Sequence, residues 1–339
     1  MDARSHRHAA PAADWRALTA VFAEVQDLKR QRPAHLDGTI ATALYREAWG
    51  RLLLGEPAAA VADVVAAKAL VNVLFPGCDE GFWGPAGIPP EAAESMMAGA
   101  LATTAAGRLG RHTERRLRAA VAEAAREYAA RAAGGRHGAD YRTVELPADV
   151  ETLTRQPRAG ATRPGFARLV LVPPESHAEH CLLTAVYGTL VAEGFGADRG
   201  VVFRAGLAHH LHNALLPDCG FAGEVLLGAY LDGVIARGRE RALGQLPDAV
   251  AEPTRAALAH HETIDSPEGR AVSAADVLDR VLDVKWRTRA AAVTDADVLG
   301  DLDLVHAGPL KNFQTELLAD SGLWDQPVAE ARAAAEVPA

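Results

Sequence analysis

Histidine and carboxylate side chains that could bind a metal recur in the second half of the chain. Eight of the thirteen histidines lie between positions 177 and 306. His180, His209 and Asp276 stand out because each lies in an apolar segment with a helical pattern. Histidine is the commonest transition-metal ligand, and a carboxylate adds a charged oxygen donor. Since a buried carboxylate is costly unless it is paired or bound to a metal, these three side chains are candidate metal ligands.

The elements that must position these residues are all predicted to be helices. In the first half, apolar periodicity and Pro/Gly stops predict helices over residues 15–31, 37–54, 58–75 and 111–133, with another starting near Pro90. In the second half, we predict one helix from Pro174 to about Glu193, one over residues 202–216, and one that follows Ser273 as N-cap and carries Asp276. The fold class is therefore predicted to be all-α.

Glycine and proline divide the chain into regions. They interrupt residues 134–165 repeatedly, which predicts a linker or excursion there, with room for a short strand near residues 143–146. We predict disordered tails over residues 1–14 and 326–339, an N-terminal helical region over 15–133, and a metal-binding helical domain over 166–325.

Composition limits the classes of function. Apolar residues make up 49% and charged residues 23%, which is typical of a globular protein. A net charge of −9 makes nucleic acid a poor partner. The three cysteines form no CxxC pair, which favours a reducing compartment, and the sequence has neither a membrane-length apolar run nor a secretion signal at its N-terminus. We therefore expect a cytoplasmic protein with a small-molecule substrate, which could form a homo-oligomer.

The order of the candidate ligands resembles the HD-domain superfamily, whose pattern is H…HD…D on successive helices. Ala178-Glu179-His180 looks like the opening motif of the nucleotidase-like branch, the segment ending at His209 looks like the second motif, and Ala275-Asp276 looks like the third. The resemblance covers residues 174–284. It implies an HD-type helical bundle, here with an additional N-terminal helical region.

Two positions depart from the family pattern. His210 stands where the family has the aspartate of HD, and Asn213 stands where the nucleotidase-like branch has a glutamate that helps to activate water. The resemblance then implies His180, His209, His210 and Asp276 as ligands, a set that suits Fe, Mn, Zn or Co better than Mg. Because an amide cannot act as a general base, we expect weak or no activity on nucleoside monophosphates.

The run His260-His261-Glu262 allows two interpretations. Two-metal branches of the family carry an HHE element before their last aspartate, which would make His261 a further metal ligand. Alternatively, the run is a helix end, with imidazoles near the negative end of the helix dipole. The role of Asp218 also allows two interpretations. Asp218 precedes a glycine-rich turn, where it is either a catalytic acid or a turn and cap residue.

The expected function is metal-dependent hydrolysis of a phosphorylated metabolite or nucleotide. The metal would lower the pKa of a water molecule, and Asp218, Glu179 or Glu262 would take its proton. His177, His212 and Asn213 are the candidates for substrate binding. Two alternatives stay open: an iron-dependent HD-type oxygenase that cleaves a C–P or C–C bond, and a non-catalytic ligand-binding relic.

Overall fold

The computed structural model describes residues 14–132, 140–288, 294–301 and 303–324, and this part of the chain is predominantly helical. Within it no β-strand forms, and only two isolated bridges occur, Pro157 with Ser176 and Ala161 with Leu169. The prediction of an all-α fold is confirmed.

The α-helices are numbered in chain order. They are α1 (Trp15–Val25), α2 (Ile40–Leu53), α3 (Ala58–Leu74), α4 (Glu80–Trp83), α5 (Pro90–Ala105), α6 (Arg111–Ala132), α7 (Ala148–Leu153), α8 (His177–Phe195), α9 (Arg199–Ala208), α10 (Gly220–Leu227), α11 (Leu231–Leu243), α12 (Asp248–His261), α13 (Pro267–Thr288) and α14 (Lys311–Asp320). A 3-10 turn, Gln26–Lys29, extends α1, another, Leu211–Ala214, follows α9, and a π-helical segment, Ala296–Asp301, precedes α14.

The N-terminal helices pack directly against the helices that carry the candidate ligands. Helix α3 is apolar on nearly every side and contacts α2, α5 and α6 as well as α8 and α9. Helix α1 and the turn that follows it pack against α13. One hydrophobic cluster includes buried residues from both halves of the chain. Residues 15–132 therefore share a core with the region that carries the candidate ligands.

The segment predicted as a linker contains ordered structure. Residues 133–139 lie outside the described part, but Tyr141–Thr143 forms a 3-10 turn and α7 follows it. Leu153 of α7 is fully buried, so hydrophobic packing holds this segment on the domain. The short strand predicted near residues 143–146 is wrong, because the chain turns there. The predicted tails lie outside the described residues, except for Asp14, whose side chain caps α1 by accepting a hydrogen bond from the Ala17 amide.

Two predicted helix starts are corrected by the side chains that cap them. Helix α8 begins at His177 rather than near Pro174, because the Ser176 hydroxyl accepts a hydrogen bond from the Glu179 amide. Helix α13 begins at Pro267, and Ser273 lies buried inside it, where its hydroxyl accepts a hydrogen bond from Gln314 at 3.0 Å. In the described part of the chain, every helix is too short or too polar to cross a bilayer.

Candidate metal centre

Close packing of α8 against α9 brings the first two candidate ligands together. Gly206 of α9 lies so near α8 that a Cβ atom there would be 2.8 Å from the Cα of Ala185. Only glycine allows this approach without a shift of one helix. His180, in the first turn of α8, and His209, at the C-cap of α9, then meet at the same end of the helix pair.

The three predicted donors converge. The Nε2 atoms of His180 and His209 are 3.1 Å apart, and the Asp276 Oδ1 atom is 3.2 Å from the first and 3.9 Å from the second. Ligand atoms that each lie about 2.1 Å from one transition metal are separated by roughly 3.0–3.5 Å. The structure thus brings together two nitrogens and one oxygen at spacings suited to a shared metal ion.

Hydrogen bonds on the far side of each imidazole aim its Nε2 atom at the cluster. His209 Nδ1 lies 2.7 Å from the Gly206 carbonyl oxygen, which can only accept, so Nδ1 donates. His180 Nδ1 lies 2.6 Å from the Asp279 carboxylate and donates in the same way. Such outer partners fix the tautomer and the ring orientation of metal-binding histidines. Both Nε2 lone pairs are therefore free to bind a metal.

The electrostatics favour the protonation states that a metal needs. Burial, together with the nearby His180, holds the pKa of His209 well below its usual value, so the ring is neutral at pH 7. Burial alone would raise the pKa of Asp276, but the Arg280 guanidinium and His180 outweigh burial and hold that pKa well below its usual range. The site therefore offers a carboxylate and a neutral imidazole without proton release.

His210 belongs to the same cluster. Ring nitrogens of His180, His209 and His210 all lie within 4.8 Å of one another. His210 Nδ1 lies 2.7 Å from the Asn213 Oδ1 atom and donates to it, which leaves Nε2 available. Asn213 also donates from Nδ2 to the Leu216 carbonyl at 3.1 Å, so its amide is held in place and orients His210. Asn213 also lines a cavity beside the cluster, so its assignment to substrate binding stays a prediction.

We expect His210→Ala to weaken metal affinity about 10-fold or more, because a donor of the cluster is lost. His210→Asp should keep most of the affinity, since a carboxylate can replace the imidazole as ligand. Chelator competition with Co²⁺ measures both values, and His212→Ala is the matched control from the same turn. Unchanged affinity in His210→Ala would show that His210 does not bind the metal.

A cavity of about 320 Å³ opens beside this cluster. His209, His210 and Asp276 line one part of it, and Arg158, Arg239 and Arg280 line other parts. The Nε atoms of Arg239 and Arg280 are buried and have no hydrogen-bond partner among the described residues. Guanidinium groups suit planar, bidentate contacts with phosphate or carboxylate oxygens. The cavity is therefore suited to an anionic group next to a metal.

Two of the three predicted acids lie at this cavity. Asp218 lines it, and its two oxygens accept hydrogen bonds from the Gly220 amide at 2.8 Å and the Ala159 amide at 2.9 Å. Glu262 lies at its edge, with a side chain 64% exposed and paired with Arg239 at 3.0 Å. Asp218 is held in place and Glu262 is largely solvated, so Asp218 is the better-placed acid.

The third predicted acid, Glu179, is used elsewhere. One of its oxygens accepts a hydrogen bond from the Ser176 amide at 2.6 Å, which completes a capping box at the start of α8. The other accepts one from the Thr39 hydroxyl at 2.7 Å. Glu179 faces a different pocket, beside Thr39 and Arg46. The prediction that it takes a catalytic proton is therefore corrected: it caps α8 and ties it to α2.

The other predicted histidines surround the cluster. His261 lines the cavity, and its ring centroid is 5.0 Å from that of His209. His212 also lines the cavity, and burial lowers its pKa to about 4. His177 is fully buried, with its ring centroid 4.7 Å from that of His210. Neither of its nitrogens forms a hydrogen bond among the described residues, but Nε2 lies 3.7 Å from Asp218 Oδ2. The structure thus brings all of them to the cluster or directly behind it.

Sequence reasoning missed several residues that shape the site. Asp279 could have been noticed, because it follows Asp276 by three residues and so shares its side of α13. Arg280 could also have been noticed, since its guanidinium lies 3.2 Å from the carboxylate of Asp276, one turn earlier. Arg158 lies in the segment interpreted as a linker. No local sequence pattern marks Arg239 as a residue of the site.

Comparison with known families agrees with this geometry. Residues 150–297 match a family model described as HD domain, and this span includes the four candidate ligands. The match begins before residue 166, so it includes α7, which lies outside the predicted metal-binding domain of residues 166–325. No curated protein and no solved structure matches the chain. The match over residues 150–297 supports membership of the HD-domain superfamily.

Proposed function

We propose that this protein is a metal-dependent hydrolase that releases phosphate from a small phosphorylated molecule. The proposal is supported by the match of residues 150–297 to the HD domain, since the HD superfamily is metal-dependent and phosphohydrolase-like. The observation that carries the proposal is the position of the donor cluster: His209, His210 and Asp276 line the same cavity as three arginines. A metal and guanidinium groups together suit a phosphate ester, whose oxygens carry the negative charge.

Each part of the cavity has a role in this reaction. A divalent transition metal held by His180, His209, Asp276 and His210 would lower the pKa of a water molecule and polarise the phosphoryl group. Asp218 accepts the proton from the attacking water. Arg280 and Arg158 bind phosphoryl oxygens and neutralise the charge that builds up as the bond to the leaving group breaks.

The size of the cavity limits the substrate. Its volume of about 320 Å³ lies at the lower end of the range for small-molecule sites, roughly 300–1,000 Å³. A sugar phosphate or a similar phosphorylated metabolite suits such a volume. Because Asn213 is engaged with His210, it does not supply a base, and we expect nucleoside monophosphates to be poor substrates.

The experiment begins with protein purified without a histidine tag. Elemental analysis identifies the resident metal, and the metal-free protein is reloaded with Mn²⁺, Co²⁺, Zn²⁺ or Fe²⁺. We expect phosphate release from at least one sugar phosphate, with rates that depend on the metal and vanish with chelator. Stoichiometric metal binding without phosphate release from any ester in a broad panel would contradict the proposal.

A second candidate function is an iron-dependent oxygenase that cleaves a C–P or C–C bond. The observation that favours it is the abundance of imidazole: His180, His209 and His210 cluster, and His261 lies beside His209. A nitrogen-rich ligand set fits iron. Oxygen consumption by the Fe²⁺-loaded protein with phosphonates, and none with the Zn²⁺-loaded protein, would favour this function. Metal binding without turnover in either assay would indicate a ligand-binding relic.

A further inference from the structure

A lysine from outside the HD segment reaches the back of the metal cluster. Lys29 lies in the 3-10 turn after α1, and its side chain is only 1% exposed. Its ammonium group donates a hydrogen bond to the Asp279 Oδ2 atom at 2.8 Å and another to the Glu175 carboxylate. The turn that carries Lys29 precedes the matched residues 150–297 by more than a hundred positions.

The oxygen that Lys29 contacts is the one that orients a metal ligand. Asp279 Oδ2 accepts from His180 Nδ1 at 2.6 Å as well as from Lys29. The opposite nitrogen of His180, Nε2, faces Asp276 at 3.2 Å. A continuous series of contacts therefore runs from the ammonium group through one carboxylate oxygen to the imidazole that would bind the metal.

The other oxygen of Asp279 is also held by the N-terminal region. Gln26, in the same turn as Lys29, donates from Nε2 to Asp279 Oδ1 at 2.7 Å. The same Nε2 lies 3.1 Å from the Tyr187 hydroxyl, which donates to the carbonyl of Phe22 in α1 at 2.8 Å. Apart from His180, the side chains that hold the Asp279 carboxylate thus come from the turn after α1.

We propose that Lys29 is a positioning residue for the metal centre, and that the N-terminal helical region thereby forms part of that centre. Lys29 fixes the Asp279 carboxylate in the orientation that accepts the His180 Nδ1 proton. This bond in turn directs the His180 Nε2 lone pair at the metal. The inference rests on the proposed function only in that the cluster binds a metal, and it does not depend on which reaction follows.

A purely structural role for Lys29 makes a different prediction. Lys29 is 3.9 Å from Asp283, which also pairs with Arg30, so its loss disturbs a larger buried ionic network. Removing one partner of such a network leaves charges buried without compensation and destabilises the fold. A structural residue would lower stability without changing the coordination of a metal in the folded protein.

The test uses Co²⁺ as the probe, because its absorption bands report the ligand geometry. We expect Lys29→Met to lower Co²⁺ affinity by about 10- to 100-fold in chelator competition, as is typical for residues that orient metal ligands, and to alter the visible spectrum. Lys29→Met/Glu175→Gln removes one positive and one negative charge together. It keeps the measurement possible if the single variant does not fold, and it should show the same loss of affinity.

The matched control is Lys68→Met. Lys68 is another largely buried lysine of the N-terminal region, with a hydrogen bond to Glu47 at 2.6 Å, and it lies at a separate cavity between α2 and α3. Lys68→Met should lower thermal stability and leave Co²⁺ affinity unchanged. Wild-type Co²⁺ affinity and spectrum in the double variant, or an equal loss in Lys68→Met, would overturn the role of Lys29. Lys29-dependent Co²⁺ binding without phosphate release would overturn the proposed function alone.

Discussion

Replacing His209 with glutamine should weaken metal binding by more than about 100-fold and abolish phosphate release, because the cluster loses a donor rather than an outer partner. The His209 Nε2 atom lies 3.1 Å from that of His180 and 3.9 Å from the Asp276 carboxylate, so it is one of the three donors that a shared metal ion would need. The metal content after dialysis, measured by elemental analysis, and phosphate release from the best substrate check this result.

Glutamine suits this test because it changes the donor and little else. Burial keeps the pKa of His209 well below its usual value, so replacing the neutral ring with a neutral amide leaves the charge at pH 7 unchanged. His35→Gln is the control, since His35 is 40% exposed and lies beside Asp79 in the N-terminal region. Normal metal content in His209→Gln would mean that the metal centre is elsewhere, and equal loss in His35→Gln would show an unspecific effect.

The core of this site could be predicted from sequence because its signals are local. His180, His209 and Asp276 lie in short motifs, and the order of those motifs along the chain predicted their convergence. The role of Glu179 was also visible: Ser176 and Glu179 have the spacing of a capping box. Capping directs Glu179 to a pocket other than the one that the metal cluster lines, so it is not placed to take a proton there.

The remainder of the site depends on tertiary packing that no local pattern encodes. Lys29 and Asp279 are 250 positions apart, and their contact exists because the turn after α1 packs on α13. The helix starts, by contrast, depend on local caps. The Ser266 hydroxyl accepts a hydrogen bond from the Gly269 amide at 3.0 Å, so α13 begins at Pro267 and not after Ser273.

Replacing Asp218 with asparagine should lower the turnover number by about 10²- to 10⁴-fold while the metal stays bound, because general-base assistance is lost. The carboxylate lines the cavity but lies outside the group of histidines that could share a metal. Phosphate release at saturating substrate measures the effect. Elemental analysis of the same sample checks that the metal is retained.

A disturbed loop is the alternative explanation for a loss of turnover in Asp218→Asn. Both oxygens of Asp218 accept backbone hydrogen bonds, from the Ala159 and Gly220 amides, and an asparagine can accept only one of them. Glu224→Gln is the matched control, since Glu224 lines the same cavity in α10. A loop effect would lower thermal stability and raise the KM without lowering the turnover number to this extent. Unchanged turnover in Asp218→Asn together with an inactive Glu262→Gln would make Glu262 the base, because Glu262 is the other predicted acid at this cavity.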